Sequence, residues 1–191
     1  MLYPNPSRFK DFAMRLKGKV SIITGGASGI GKATVLKFAQ EGAIVAVCDL
    51  NQETIDATVN EVKAAGGEAV GYIVNVTNKS QINDMVADVK ARFGRIDVLV
   101  NNAGIVQDAQ LTKMTDEQFD LVIDINLRGV YNCAKAVVDT MVAQGGGVIL
   151  NFGSISWHLA LPDLILYQTA KAAIEGLTRS LARDLGRDNI R

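Results

Sequence analysis

Val20-Ser21-Ile22-Ile23-Thr24-Gly25-Gly26-Ala27-Ser28-Gly29-Ile30-Gly31 decides the fold. A short β-rich run ends in a glycine-rich turn, and helical spacing of apolar residues (Ala33, Leu36, Ala39) begins directly after it. Glycines there permit a tight turn and close backbone approach. The following helix start offers free N–H groups and the positive end of its dipole to a pyrophosphate. A strand before the turn and a helix after it form the context that marks a dinucleotide site. A turn with no ligand would carry the same glycines, so the weight of this reading rests on its surroundings.

Outward from this stretch the chain alternates. The pattern predicts a helix from Gly31 to Gln40, stopped by Gly42, and a buried strand from Ile44 to Cys48 that ends at Asp49. A helix follows from Glu53 to Ala65, then a strand from Ala69 to Val74, a helix from Lys79 to Phe93 and a strand from Ile96 to Val100. One long helix is expected from Asp116 to Ala143, a fifth strand from Val148 to Phe152 and a last helix from Tyr167 to Leu185. Strands that are apolar throughout, set between amphipathic helices, predict an α/β fold: a doubly wound parallel sheet covered on both faces, with right-handed crossovers. Residues 1–13, with Tyr3-Pro4-Asn5-Pro6-Ser7, have no periodicity and read as a weakly ordered N-terminal extension; residues 14–191 read as one domain. Met14 could itself be a start site.

Composition narrows the function. The 191 residues are 48% hydrophobic and 21% charged, with 20 basic and 20 acidic side chains, an ordinary globular balance. No basic block with interleaved aromatics invites nucleic acid, and no apolar run is long enough to span a bilayer. The stretch from Met1 to Lys17 has no apolar core of the secretory kind. Cys48 and Cys133 each lie in apolar surroundings and read as buried free thiols of a reducing, cytoplasmic compartment. A single histidine makes a zinc site a poor expectation.

Several chemistry-bearing residues fall at the same ends of these elements. Asp49 closes the second strand, where a carboxylate can accept hydrogen bonds from adenosine ribose hydroxyls and repel a 2′-phosphate; this favours NAD(H) over NADP(H). A solvent-facing strand-end aspartate is the alternative. Asn101-Asn102-Ala103-Gly104 closes the fourth strand, and its short amides and small residues leave room for a cofactor, although Asn101 could serve only as a strand-end lock. Asn126 lies inside the long helix and, taken alone, reads as solvent-facing. Ser154 follows the fifth strand. Tyr167 and Lys171 stand one helical turn apart at the start of the next helix, so both share a face. An ammonium beside a phenol favours the phenolate, which suits the phenol to proton transfer. His158, among Trp157, Leu159 and Leu161, reads as flanking a substrate pocket. Val130, Ala134, Val137, Val138 and Met141 form an apolar helix face that serves either a subunit interface or the core.

Taken together, Thr24-Gly25, Gly29-Ile30-Gly31, Asn101-Asn102-Ala103-Gly104, Asn126, Ser154, Tyr167 and Lys171, in this order, resemble the classical short-chain dehydrogenase/reductase family from about Leu16 to Arg191. The resemblance implies a Rossmann-like sheet, a nicotinamide cofactor, a small carbonyl or alcohol substrate and a homodimer or homotetramer. It implies Tyr167 as the general acid-base and Ser154 as the group that positions the substrate oxygen. Lys171 would aid the phenol and bind the nicotinamide ribose, and Asn126 would hold a proton-relaying water. It further implies cofactor contacts from Gly25, Ser28, Gly29, Ile30, Gly31, Asp49, Asn75, Val76, Asn102, Ala103, Gly104, Tyr167 and Lys171, with Asn75 standing where the family usually has an aspartate. The middle of the chain, with Asp108, Leu111 and Met114-Thr115, resembles bacterial 3-oxoacyl-acyl-carrier-protein reductases. Asn151 to Leu159, continuing through Tyr167 to Gly176, resembles NAD-dependent aldose (D-xylose-type) 1-dehydrogenases. The first likeness makes a 3-oxoacyl-thioester or general ketone reductase the leading expectation, with the sugar dehydrogenase behind it. In the family a sixth strand, a substrate lid and a last strand would follow Arg191. The fifth strand is therefore expected as a long apolar sheet edge, and a non-catalytic cofactor-binding fragment is the expectation from another class. An α/β domain without any nucleotide is a third.

Overall fold

The computed structural model describes residues 14–191; the extension expected over residues 1–13 lies outside the described residues. Five strands pair in parallel in the order β3-β2-β1-β4-β5: β1 Val20–Thr24, β2 Ile44–Asp49, β3 Glu68–Ile73, β4 Val98–Asn101 and β5 Val148–Asn151. Helices α1 Gly29–Gln40, α2 Gln52–Ala64 and α3 Lys79–Phe93 alternate with the first strands. The chain order starts in the middle of the sheet and winds outward both ways, so the expected Rossmann-like doubly wound sheet is present.

The alternation of the pleat divides the core. Val20, Ile22, Ala46, Cys48 and Leu99 face one side and pack with Ile82, Met85 and Val89 of α3 and with Cys133, Val137 and Met141. Ile23, Val45, Val47, Val98 and Val100 face the other side and pack with Val35 of α1 and Ile55, Val59 and Val62 of α2. Strands buried on both faces need apolar residues at odd and even positions alike, which is why these runs do not alternate with polar residues. Ala134, Val137 and Met141 lie in the first cluster, Val138 packs against it half-buried, and Val130 is buried as well, so the apolar face they form is core. Both cysteines are free and buried, and burial pushes the Cys133 thiol up to about 12.

Two expectations change. The long helix over Asp116–Ala143 is three pieces: α4 Asp116–Ile123, a π turn Asp124–Arg128 and α5 Gly129–Ala143. The interruption sits on Asn126, which is 0% exposed; its Nδ2 donates to Val122 O (3.0 Å) and to Ile105 O (2.9 Å). The solvent-facing reading of Asn126 is thus overturned, because its amide ties the helix to the loop after β4. β5 is the sheet edge as expected, but a shorter one, and its start is covered. β5 has four residues, and Gly147 and Ile149 pair with Ile190 and Arg191 through Arg191 N–H to Gly147 O (3.0 Å) and Ile149 N–H to Arg191 O (2.8 Å). A short helix α6 Ser156–Leu159 precedes α7 Ile165–Leu185.

At the other end of the sheet, Asp97 binds the start of β1 to the start of β4. Its carboxylate accepts from Val20 N–H (3.0 Å), the Lys19 ammonium (3.1 Å) and the Arg95 guanidinium (2.7 Å). Burial pushes this carboxyl up, but the Arg95, Val20 and Lys19 donors outweigh it and hold the group below its ordinary value. A depressed folded-state value means that the stabilisation is fully present above the unfolded value near pH ~4 and is lost as pH falls through the lower folded value. Asp97→Asn is expected to cost about 2 kcal/mol at pH 7. In denaturant melts the gap to the unmutated chain should close below pH ~4; a pH-independent gap would contradict this assignment.

Candidate active site

The carboxyl ends of β1, β2 and β4 border one cleft of about 410 Å³. Gly25, Ser28, Gly29 and Ile30 line one wall, Asp49 and Val76 the next, and Asn102, Ala103 and Gly104 the third. Leu50, Val74, Ile105 and Ile125 complete the lining. These four were not legible as site residues, although Leu50, directly after Asp49, carried a positional signal.

The glycine turn is locked from β4. Asn102 donates its side-chain amide to Thr24 O (3.1 Å) and Gly25 O (3.0 Å), while the backbone N–H groups of Asn102 and Ala103 both donate to Thr24 Oγ1 (3.1 Å each). Gly25 has φ +62°, the left-handed region, and a Cβ there would stand 2.9 Å from Asn102 Nδ2. Gly31 does not line the cleft; it packs beneath it, where a Cβ would overlap the Gly25 carbonyl oxygen and crowd Asn102. Asn101 is 3% exposed and donates to Asn151 Oδ1 (2.9 Å), so it acts as a strand-end lock between β4 and β5.

The cleft fits a dinucleotide on its own evidence. The first turn of α1 holds no acidic side chain and Ser28 makes no capping hydrogen bond, so no side chain among the described residues claims the positive end of that helix. The Asp49 carboxylate accepts from Ala27 N–H (3.0 Å) and Leu50 N–H (2.8 Å), which fixes its orientation and leaves lone pairs for hydroxyl donors. No lysine or arginine lines the cleft. Asn75 departs from the expectation. Its Oδ1 accepts from Thr77 N–H (3.0 Å) and the Thr77 hydroxyl (2.9 Å), and it is absent from the cleft lining; the short amide is drawn into its own turn.

Past Gly104 stands the second group of residues. A Cβ at Gly104 would lie 2.7 Å from Asn126 Oδ1 and 3.8 Å from Lys171 Nζ, so the missing side chain lets the loop after β4 approach both. Asn126 Oδ1 is buried with no partner among the described residues. Lys171 is 5% exposed; its ammonium donates to Phe152 O (2.7 Å) and lies 5.7 Å from the centre of the Tyr167 ring. Burial pushes the Lys171 amine below its ordinary value. Tyr167 is half-buried, and its hydroxyl makes no hydrogen bond among the described residues. Ser154 Oγ instead lies 2.8 Å from Ser156 Oγ and accepts from Ser156 N–H (3.1 Å). His158 is exposed and stacks on Trp157 with ring centres 3.5 Å apart.

Comparison with known proteins agrees with this geometry. A family model described as short chain dehydrogenase matches residues 19–191. A 3-oxoacyl-[acyl-carrier-protein] reductase of Thermotoga maritima is 47% identical over 178 residues, covering 93% of this chain and 72% of the relative. A D-xylose 1-dehydrogenase of Caulobacter vibrioides is 45% identical over 176 residues, covering 92% of this chain and 69% of the relative. The crystal structure of an NAD+-bound xylitol dehydrogenase superposes with TM-score 0.89 at 36% identity, covering 93% of this chain and 68% of that one.

Gly31→Ala is expected to force the turn away from Asn102. The result should be a stability loss of about 1–3 kcal/mol and NADH binding weakened roughly tenfold or more. Denaturant melts and NADH fluorescence titration check both; an unchanged affinity would contradict the packing described for this glycine.

Proposed function

The chain belongs to the short-chain dehydrogenase family, and from that premise we propose an NAD(H)-dependent reductase of ketones, with 3-oxoacyl thioesters as the leading substrates. It is an oxidoreductase acting on CH–OH groups, and its family uses a nicotinamide cofactor. The observation that carries the reading is Lys171: a buried ammonium, anchored by one carbonyl and set beside the Tyr167 ring, next to the end of the dinucleotide cleft.

When bound, the nicotinamide supplies or accepts hydride. The chain's own residues manage the oxygen and the proton. Tyr167 gives its phenolic proton to the carbonyl oxygen, and Ser154 donates a hydrogen bond to the same oxygen. Lys171 stabilises the phenolate left behind; the carbonyl of Phe152 holds the ammonium in place. The free Oδ1 of Asn126 offers an acceptor to a water beside Lys171, through which a proton can be restored. Asp49 selects NAD(H): its carboxylate accepts ribose hydroxyls and repels a 2′-phosphate. Gly25, Ser28, Gly29 and Ile30 would hold the pyrophosphate side, Val76 would border the adenosine side together with Asp49, and Asn102, Ala103 and Gly104 the nicotinamide side.

The substrate side favours an apolar body. Ile155, Leu159, Leu161 and Ile165 stand exposed along the chain between Ser154 and Tyr167, and Val106 is exposed on the loop after β4. That loop is joined to the segment before α7 by Ala109 N–H donating to Asp163 O (2.9 Å). The likeness to the D-xylose enzyme, which includes Ser154 to Gly176, carries a second reading as an NAD-dependent aldose 1-dehydrogenase. Assays with acetoacetyl thioesters beside D-xylose separate the two.

Tyr167→Phe is expected to lower kcat by about 10²- to 10⁴-fold while NADH affinity stays nearly unchanged. Retained turnover would overturn the proton-transfer role. Asp49→Ala is expected to erase or reverse a preference for NADH over NADPH in fluorescence titrations. Equal affinities in the unmutated chain would contradict the reading of Asp49.

A further inference from the structure

We propose that Ser156 is a positioning residue that sets the hydrogen-bond direction of Ser154. The inference rests on the role proposed above for Ser154. A serine hydroxyl has one proton to give and two lone pairs to accept with. The Ser156 backbone N–H can only donate, and at 3.1 Å it fills one lone pair of Ser154 Oγ. The Ser156 hydroxyl, 2.8 Å away, competes for what remains. Ser156 is 5% exposed, and Ser154 is the partner of its hydroxyl among the described residues.

Two arrangements follow, and each suits one direction of the reaction. When Ser156 donates its hydroxyl proton, both lone pairs of Ser154 are filled. The Ser154 proton then has to point outward, where it meets a carbonyl oxygen. When Ser154 donates to Ser156, one lone pair of Ser154 faces outward instead, ready to accept from an alcohol O–H. Reversing this one hydrogen bond switches the outward group from donor to acceptor without moving a heavy atom. No proton is gained or lost by the pair. Ser156 sits two residues beyond Ser154, on the first position of α6, where its backbone N–H and its hydroxyl both reach back to one oxygen. An isolated serine at position 154 would spread over several hydroxyl orientations, of which a fraction is productive.

The test is a double-mutant cycle on Ser154 and Ser156, assayed with acetoacetyl thioester and with D-xylose, NADH or NAD+ being the second substrate. Ser156→Ala keeps the backbone donor and removes the hydroxyl. It should lower kcat about 3- to 10-fold with little change in KM and none in NADH affinity. Ser156→Thr should restore most of the loss. In the Ser154→Ala background, Ser156→Ala should have no further effect on kcat. A full effect there, or a change confined to KM, would make Ser156 a structural residue and overturn the inference. A kcat unaffected by Ser156→Ala alone would also overturn it. If Ser154→Ala itself leaves kcat intact, or the unmutated chain turns over neither substrate, the role of Ser154 falls first.

Discussion

The side-chain amide of Asn102 holds the two halves of the site in register. Its two bonds go to Thr24 O at the end of β1 and to Gly25 O in the turn beyond it. Thr24 completes the clamp by accepting both backbone N–H groups that follow β4. The glycine turn, and with it the start of α1, is thereby fixed relative to the Ala103-Gly104 loop. Gly104 in turn approaches Asn126 and Lys171, so the placement of these two beside the cleft also traces back to this contact.

A second polar chain sets the depth of α7. Asn101 donates to Asn151, and Asn151 donates to Thr178 (2.9 Å), which fastens the helix to the ends of β4 and β5. Lys171 adds its bond to Phe152 O about two turns earlier on the same helix. Burying an ammonium with a single carbonyl acceptor costs free energy, and the downward push on the Lys171 amine reflects it. Asn126 buries an unpaired oxygen at the same place. The loop that leads into Tyr167 adds backbone strain, with Ala160 at φ +50° and Asp163 at φ +61°, each costing on the order of 1 kcal/mol or more. Buried charge, an unpaired acceptor and strained backbone thus occur together around Tyr167 and Lys171.

Most of the architecture was legible because parallel strands covered on both faces leave an unambiguous apolar signature, and the glycine turn after Thr24 named the place where ligand and sheet meet. That Asp49, Asn102 and Gly104 line one cleft was legible for the same positional reason. The π turn was not. One extra residue in a helix barely disturbs an apolar period, so Asp116 to Ala143 read as continuous, and Asn126 looked exposed until tertiary packing buried it. Asn75 was expected in the cleft by its place after β3, but a short amide that can bond Thr77 closes its own turn instead. Ser156 gave no signal: a serine two residues past another is ordinary turn composition, and only the approach of the two hydroxyls distinguishes it.

The account stands on one claim, that a single crevice at the carboxyl ends of the strands brings a nicotinamide dinucleotide to Ser154, Tyr167 and Lys171. A crystal structure of the chain soaked with NADH tests it most directly. The account predicts adenosine ribose hydroxyls on the Asp49 carboxylate, the pyrophosphate at the start of α1, and the nicotinamide end facing Tyr167 and Ser154 with its ribose at Lys171. Density for the dinucleotide elsewhere, or with the nicotinamide turned away from Tyr167, would contradict it.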